Sequence, residues 1–325
     1  MKMNNKLFDL SIIIVSWNTA DLLRNCIQSV YDEAKKYTFE IIVIDNASPD
    51  NSAEMVRKEF PEVKLIANTF NNGFAPANNQ GLKIAEGRNI LFLNPDTVIL
   101  NGAIDSMVDY LEANKVKKVG AVSCKLLNED MTLQKSVNNF FSLWSSFIEN
   151  RLFAELFKNK STSKRLLTFW DHNEERDFDW AYGAVILISG EVFEKVGMLD
   201  ERFFIYAEEM DYYFRIKNAG YRSVFLPDVK IIHYGKSSSR QRRAAMFIQN
   251  YKSFYLFLKK HYSGFTYYAY RTRATLFLFI WLMRYRLSYL LHSAFSNSTE
   301  EDTNQLEVYS QTLKWHFSSD ALIKI

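Results

Sequence analysis

Short apolar runs alternate with amphipathic segments over the first 125 residues. The apolar runs, which are rich in β-branched residues and predict strands, are Ser11–Ser16, Glu40–Ile44, Val63–Ala67 and Asn89–Leu93. Helical spacing fills the intervals, at residues 20–36, 51–59, 75–86 and 101–114. Continuously apolar strands that alternate with helices predict an α/β fold with a mostly parallel sheet, flanked by helices on both faces.

Each predicted strand is followed by a polar loop. These loops are Ser16-Trp17-Asn18, Asp45 to Asp50, Asn68 to Gly81, and Asn94-Pro95-Asp96. Any one of them could be a helix cap or a turn, since Asn, Asp, Ser and Pro serve those roles too. Parallel strands bring their C-terminal ends to one edge of the sheet, which is where such sheets bind ligands. Four polar loops at that edge therefore favour a ligand site.

The second half of the chain is less regular. Residues 126–177 are rich in Phe, Trp, Lys and Asn and predict an inserted loop or helical segment near the entrance of this ligand site. Residues 178–233 predict a strand, two helices and two short strands, and residues 241–261 and 265–292 predict helices. Residues 296–309 are polar and acidic and predict a flexible link. We expect an α/β domain over residues 1–240 and a helical region over residues 241–325.

Charge is distributed unevenly along the chain. The net charge is +3, yet twelve Lys or Arg residues and no Asp or Glu occur between Val229 and Thr299, so the remainder is acidic. This division predicts an acidic body and a basic docking surface. Arg residues flank the apolar run Ala274–Met283, as in basic helices that lie in a membrane interface. A helical subdomain or a contact between two copies is the alternative, and no nucleic-acid-binding motif is present.

Several site classes lack the residues they need. Cys26 and Cys124 form neither a disulfide framework nor a CxxC pair, which suits core positions in a reducing compartment. No GxGxxG, HExxH or paired CxxC motif occurs. The first ten residues lack the apolar segment of a signal peptide, and the longest apolar run, Ala274–Met283, is too short to span a bilayer.

Asp96 and His233 are candidate metal ligands. A carboxylate just beyond a buried strand suits Mg²⁺ or Mn²⁺, which prefer oxygen ligands and bridge carboxylates to diphosphates, although Asp96 could also cap the next helix. His233 ends an apolar run and precedes Tyr234-Gly235-Lys236-Ser237. A P-loop is excluded there, because Lys230 stands where that motif needs a glycine.

An acidic cluster, Glu208-Glu209-Met210-Asp211, opens a predicted helix. Carboxylates are favoured at a helix N-terminus, and Asp211 can pair with Arg215 one turn later, so a structural role is one reading. The other reading is a general base, which removes the proton from an attacking hydroxyl.

Together these motifs resemble a known family. The chain resembles the family 2 inverting glycosyltransferases of GT-A fold, and most of all the rhamnosyltransferase branch. The resemblance spans residues 9–240. It is carried by the four loops above and by Tyr182-Gly-Ala184, Val196-Gly-Met-Leu-Asp200, Arg202-Phe-Phe204, Tyr206-Ala-Glu-Glu-Met-Asp211, Ala219-Gly-Tyr221, Pro227-Asp228 and His233.

The resemblance implies roles for individual residues. Residues 1–240 would be the nucleotide-sugar-binding catalytic domain, in which Asp45 binds the pyrimidine base with Ser16, Trp17 and Asn18 alongside. The residues near the base, ribose and diphosphate of the donor would be Asn71, Gly73 and Asn78.

Metal and base positions are also implied. Asn94 and Asp96 occupy the two ends of the motif often written DXD, and Asp96 and His233 would hold Mg²⁺ or Mn²⁺. Glu209 stands at the catalytic base, where many relatives carry Asp, and Asp211 is the second candidate.

The resemblance further implies a reaction and a place in the cell. The donor would be dTDP-L-rhamnose, with a UDP-sugar donor or a catalytically silent scaffold homologue as alternatives. The acceptor would be a glycan or polyprenyl-linked glycan in cell-surface polysaccharide biosynthesis. The chain would then work in the cytoplasm, at the inner face of a bacterial plasma membrane.

Overall fold

The computed structural model describes residues 7–142, 167, 170–235, 243–294 and 300–321. The chain divides into two compact units, one of Met1–Phe204 and Glu208–Ser238, the other of Ile205–Ala207 and Ser239–Ile325. The strands are β1 (Phe8–Ser16), β2 (Phe39–Asp45), β3 (Lys64–Ala67), β4 (Gly87–Leu93), β5 (Thr97–Ile99), β6 (Val119–Leu127), β7 (Leu133–Gln134), β8 (Val137–Asn138), β9 (Arg176–Asp177), β10 (Trp180–Ala181), β11 (Val185–Ser189) and β12 (Arg222–His233). The helices are α1 (Ala20–Glu33), α2 (Ser52–Glu59), α3 (Phe74–Ile84), α4 (Ala103–Ala113), α5 (Gly190–Val196), α6 (Glu208–Asn218), α7 (Arg243–His261), α8 (Gly264–Ala294) and α9 (Glu300–His316).

A mixed, mostly parallel sheet forms the first unit. Its main path runs β3-β2-β1-β4-β11-β6-β12-β5, with β7 beside β6 and β9 beside β12. Strands β1 to β4 are mutually parallel, whereas β11 runs antiparallel to both β4 and β6. The strand order reverses between β1 and β4, which creates the crevice where sheets of this kind bind ligands. The predicted α/β class is confirmed.

Both faces of this sheet are buried. Ile12 and Ile14 face a core that includes residues of α1, α2 and α4, whereas Ile13 and Val15 face a core that includes residues of α3, α5 and α6. Successive side chains of a strand point to opposite faces, so a strand covered on both sides reads as one apolar run. Cys26 and Cys124 are buried free thiols in the first of these cores, as predicted.

Two predicted elements are corrected. The two short strands expected near residues 222–233 are one strand, β12, whose pairing with β6 shifts register between Leu226 and Lys230. Pro227 lies at that shift, because proline has no N–H to donate to a strand ladder and is accommodated at irregularities. The prediction of a flexible link over residues 296–309 is wrong from Glu300 onward, where α9 begins.

The second unit is built from α7, α8 and α9. The ring of Tyr309 on α9 stacks on Trp281 and Tyr285 of α8, with centroid distances of 6.3 and 5.4 Å. His316 Nε2 lies 2.6 Å from the hydroxyl of Tyr255 on α7. These contacts stabilise α9 as a helix despite its polar sequence. Within the described residues, no helix combines the length and the apolar character needed to cross a membrane.

Candidate active site

The polar loops predicted from the sequence lie at one edge of the sheet and are joined by backbone hydrogen bonds. The amide of Asn46 donates to the Ser16 carbonyl at 2.8 Å, and the amide of Asn68 donates to the Asp45 carbonyl at 2.9 Å. Asn94 donates to the carbonyl of Ala184 at 2.9 Å. The first three loops are therefore joined to one another, and the loop after β4 is joined to the residue that precedes β11.

Asp45 offers an unused acceptor to a ligand. Its carboxylate is buried, and Oδ2 accepts the amide N–H of Ser48 at 3.1 Å. Oδ1 is buried and has no hydrogen-bond partner among the described residues. A buried acceptor without a partner is costly, so it marks a place where a donor on a ligand fits.

The loop after β1 is fixed against the loop after β2. Asn18 adopts a left-handed conformation with φ of 57°, and its amide donates to Ser48 Oγ at 2.9 Å. Ser16 is buried, with Oγ 3.0 Å from Thr19 Oγ1, and Trp17 is half-buried. Direct contact of Ser16, Trp17 and Asn18 with a donor stays a prediction.

Gly73 is required by the shape of the loop before α3. Its φ is +89°, and a Cβ on this residue would meet the carbonyl oxygen of Phe204 at 2.5 Å. Asn71 Oδ1 accepts the Gly73 amide at 2.9 Å, and Asn46 Nδ2 donates to the Gly73 carbonyl at 3.0 Å. Asn46, which sequence reasoning did not single out, thus holds two of the loops together.

Asn78 is more deeply buried than we expect for a residue that contacts the sugar donor. It is a buried residue of α3 whose Nδ2 donates to the carbonyl of Phe74 at 2.9 Å. The amide therefore supports the helix, and its predicted contact with the donor is not tested by this geometry.

Asp96 and His233 come together although 137 positions separate them in sequence. Thr97 and His233 are paired residues of β5 and β12, and Asp96 Oδ1 lies 3.3 Å from His233 Nε2. Asn94 Nδ2 lies 3.4 Å from the same ring nitrogen. Pairing of two distant strands thus brings together the two predicted metal ligands, Asp96 and His233, with Asn94 beside them.

Gln134 fixes the proton on the imidazole of His233. Its Oε1 lies 2.6 Å from Nδ1, while its Nε2 donates to Asn128 Oδ1 and to the His233 carbonyl. Since an amide oxygen only accepts, the ring proton is on Nδ1. Sequence reasoning missed Gln134, because no pattern links it to His233.

The donor set fits a divalent cation. In the neutral ring with its proton on Nδ1, the lone pair of His233 Nε2 faces the Asp96 carboxylate, and two acceptors 3.3 Å apart are stabilised by a cation between them. Mg²⁺ and Mn²⁺ are commonly held by one or two protein ligands together with phosphate oxygens. Among the described residues, no cluster of three His, Cys, Asp or Glu side chains is suited to a metal, so the fit is to a pair completed by a ligand.

Glu208 and Glu209 form a hydrogen-bonded carboxyl pair at the start of α6. Burial raises the pKa of Glu209 to about 7, opposed by its own backbone N–H and by the hydrogen bond from Glu208. Burial, followed by the charge on Glu209, raises the pKa of Glu208 well above its usual range. Each side chain keeps a buried Oε2 without a hydrogen-bond partner in the described structure.

A short segment connects this carboxyl pair to the metal ligands. An added Cβ on Gly183 would lie 4.0 Å from Cβ of Glu209 and 3.8 Å from the ring of Phe74. The next residue, Ala184, accepts the amide of Asn94. Glu209 and the Asn94–Asp96 loop therefore border the same strip of backbone.

Asp211 does not suit the role of a second base. It is fully buried, and its Oδ2 accepts from Arg215 Nε at 2.9 Å. Arg215 also donates to the carbonyls of Val196 and Met198. Because this carboxylate is paired inside the protein, the geometry favours Glu209 over Asp211 as the candidate base, and the role of Asp211 stays a prediction.

Comparison with known proteins identifies the family. Residues 11–168 match the family model described as Glycosyl transferase family 2, a range that contains all four polar loops and Asp96. Residues 11–168 of the chain therefore form a family 2 glycosyltransferase domain. Inversion of the anomeric configuration is typical of this family, and Glu209 and His233 lie beyond the matched range.

This glycosyltransferase is similar to two rhamnosyltransferases over most of its length. It is 24% identical to the N-acetylglucosaminyl-diphospho-decaprenol L-rhamnosyltransferase of Mycobacterium tuberculosis, across 78% of this chain and 85% of that protein. It is 23% identical to the rhamnosyltransferase WbbL of Escherichia coli, across 77% of this chain and 92% of that protein. The predicted resemblance to the rhamnosyltransferase branch is confirmed.

Solved structures confirm the GT-A-like fold of this glycosyltransferase. The mannosyltransferase PcManGT from Pyrobaculum calidifontis, in complex with GDP-Man and Mn²⁺, superposes with a TM-score of 0.55. That match is 16% identical and covers 96% of this chain and 88% of the other. GalNAc-T7 with UDP, GalNAc and Mn²⁺ matches with a TM-score of 0.50 and 17% identity, over 70% of this chain and 43% of that one.

Proposed function

We propose that this glycosyltransferase is metal-dependent and inverting, and that it transfers L-rhamnose from dTDP-L-rhamnose during cell-surface glycan biosynthesis. The observation that carries the proposal is the facing pair of Asp96 and His233 Nε2, bordering the same backbone strip as Glu209. The names of the two rhamnosyltransferase relatives support the sugar, and Mn²⁺ in both solved neighbours supports the metal.

Donor recognition begins at Asp45. Its unpartnered Oδ1 would accept the ring N–H that both thymine and uracil present. Asp45 therefore selects a pyrimidine and does not distinguish dTDP from UDP. A UDP-sugar donor is for this reason the second candidate for the same site.

Asp96 and His233 would hold Mg²⁺ or Mn²⁺ beside the diphosphate. When bound, such an ion neutralises the negative charge of the departing nucleoside diphosphate. Gln134 directs the proton of the neutral His233 ring to Nδ1 and fixes the plane of the ring, so that the ligand pair is organised before the donor arrives.

Glu209 would act as the general base. In its unprotonated form it takes the proton of the acceptor hydroxyl, while the hydroxyl oxygen attacks the anomeric carbon opposite the diphosphate. One carbon–oxygen bond forms as the bond to the diphosphate breaks, so the anomeric configuration inverts. A pKa of about 7 leaves a substantial unprotonated fraction at neutral pH while keeping the base strong enough to accept a proton.

The acceptor we propose is a glycan on a polyprenyl diphosphate. The Mycobacterium tuberculosis relative is named for such an acceptor, a diphospho-decaprenol. The reaction would then take place at the cytoplasmic face of a bacterial plasma membrane.

A thermal-shift screen of nucleotide sugars with and without Mn²⁺ tests the donor, because a ligand that binds only the folded state raises its stability. We expect a metal-dependent shift that is larger with dTDP-rhamnose than with UDP-sugars. A larger shift with a UDP-sugar would keep the enzyme class and replace the donor. No shift with any donor would favour a silent scaffold homologue.

A further inference from the structure

Helix α8 carries large apolar side chains on its outer face. Six of them, between 38% and 76% exposed, define what we call the α8 stripe: Phe265, Leu276, Phe279, Ile280, Met283 and Leu287. At roughly 100° per residue they fall within an arc of about 100°, along about 33 Å of helix. Large apolar side chains exposed along one side of a helix mark an interaction site.

The opposite face of α8 is already covered by protein. Tyr267, Ala274, Leu278, Trp281 and Leu282 are buried on that side. The acidic helix α9 packs there through Tyr309, which stacks on Trp281. Packing within this unit therefore does not explain the apolar residues of the stripe.

Cationic side chains border the stripe. Arg284 and Arg286 are exposed and lie on either side of it, and the Arg284 guanidinium lies 4.6 Å from the centroid of the Trp281 ring. No Asp or Glu occurs between Val229 and Thr299, so α7 and α8 contribute no acidic side chain to this surface. The partner that complements it is apolar in the middle and anionic at the edges.

We propose that the α8 stripe docks on an anionic lipid bilayer, lying parallel to the membrane surface. The apolar side chains would enter the boundary between headgroups and acyl chains, and Arg284 and Arg286 would meet lipid phosphates. This inference does not depend on the proposed sugar chemistry, since it rests on α8 alone.

A second copy of the chain fits this surface less well. A two-fold contact brings the same patch from each copy together. It would bring Arg284 and Arg286 of both copies into one interface, with no acidic residue of α7 or α8 to pair with them. A bilayer with anionic headgroups supplies the missing charge.

Vesicle sedimentation with the full chain tests the proposal, without sugar donor or acceptor. We expect binding to vesicles of phosphatidylcholine with phosphatidylglycerol, weaker binding to phosphatidylcholine alone, and weakening by salt. Arg284→Gln and Arg286→Gln should each lower the partition coefficient about fivefold. The double variant Phe279→Ser, Ile280→Ser should lower it at least tenfold.

Val116→Ser is the matched control, because Val116 is 97% exposed and belongs to the other unit. This variant should bind vesicles like the unsubstituted chain. Circular dichroism and turnover with a short soluble acceptor should be unchanged in all these variants, which separates loss of docking from misfolding. The proposal would be overturned if the double variant Phe279→Ser, Ile280→Ser bound vesicles as strongly as the unsubstituted chain. So would a dimer in solution that this variant dissociates, because the stripe would then be a protein interface.

Discussion

His233 Nδ1 lies 2.6 Å from Oε1 of Gln134, a residue 99 positions earlier in the chain. The contact decides which ring nitrogen carries the proton, and so leaves Nε2 available opposite Asp96. Gln134 lies outside the proposed ligand pair, yet its contact with Nδ1 sets the tautomer of the neutral His233 ring. It is a positioning residue.

Gln134→Ala should weaken Mn²⁺ affinity by about 10–100-fold, because loss of a partner behind a ligating imidazole has that effect. Saturating Mn²⁺ should restore most of the turnover. The measurement is turnover as a function of Mn²⁺ concentration. Gln28→Ala, at an exposed position of α1, is the matched control and should leave the Mn²⁺ dependence unchanged.

Asp96→Ala should abolish transfer and the Mn²⁺-dependent part of the thermal shift, because the only carboxylate of the ligand pair is lost. Circular dichroism should show an unchanged fold. Full activity in this variant would remove Asp96 from the metal position, whereas loss of fold would leave Asp96→Asn as the variant to measure.

Glu209→Gln should lower the transfer rate by about 10²–10⁴-fold while donor binding is retained, because the amide cannot accept the proton. In the unsubstituted enzyme the rate should rise with pH and level off above about 7, where Glu209 loses its proton. Single-turnover rates across this range provide the test, with Glu194→Gln, an exposed glutamate of α5, as control. Unchanged turnover in Glu209→Gln would assign the base elsewhere.

Glu208→Gln should make stability less dependent on pH. The pKa of Glu208 is raised in the folded state above its ordinary value of 4.5. Above pH 4.5 the folded protein therefore keeps a proton on Glu208 that the unfolded chain releases. The stabilisation is present below that pKa and is lost as pH rises toward the folded value. Urea unfolding at about pH 5.5 and about pH 8 measures how far the free energy of unfolding falls between the two conditions. This fall should be smaller for the variant than for the unsubstituted chain. Equal declines would mean that Glu208 does not retain this proton.

Gly73→Ala should cost more than about 1–3 kcal/mol of folding free energy, since a positive φ alone costs about that much for a residue with a Cβ. The added methyl group would also meet the Phe204 carbonyl. Gly220→Ala separates the two effects, because Gly220 has a φ of +88° and open space around it. Urea unfolding should rank Gly73→Ala as the less stable variant, and equal costs would show that Phe204 yields to the methyl group.

The sequence was a reliable guide where the signal is local. Strands β1 to β4 and the loops after them were predicted because an apolar run of Ile, Val and Leu and a following Asn, Asp or Pro are patterns within a few residues. The errors occurred where distant residues decide. The acidic segment from Glu300 was predicted to be a link, but Tyr309 packs on Trp281 and it is helical. Two short strands were predicted where β12 is one strand, because β6 pairs with it on both sides of the register shift.

By itself the sequence determined the α/β fold, the edge of the sheet that carries the site, and the family, because alternating periodicities and spaced motifs are properties of the chain order. Only the tertiary structure decided the environment of each carboxylate. Asp211 and Glu209 are two positions apart on one helix, yet Arg215 pairs with the first, while burial beside Glu208 raises the pKa of the second. Burial and ion pairing depend on residues brought together by folding, and no short stretch of sequence contains them.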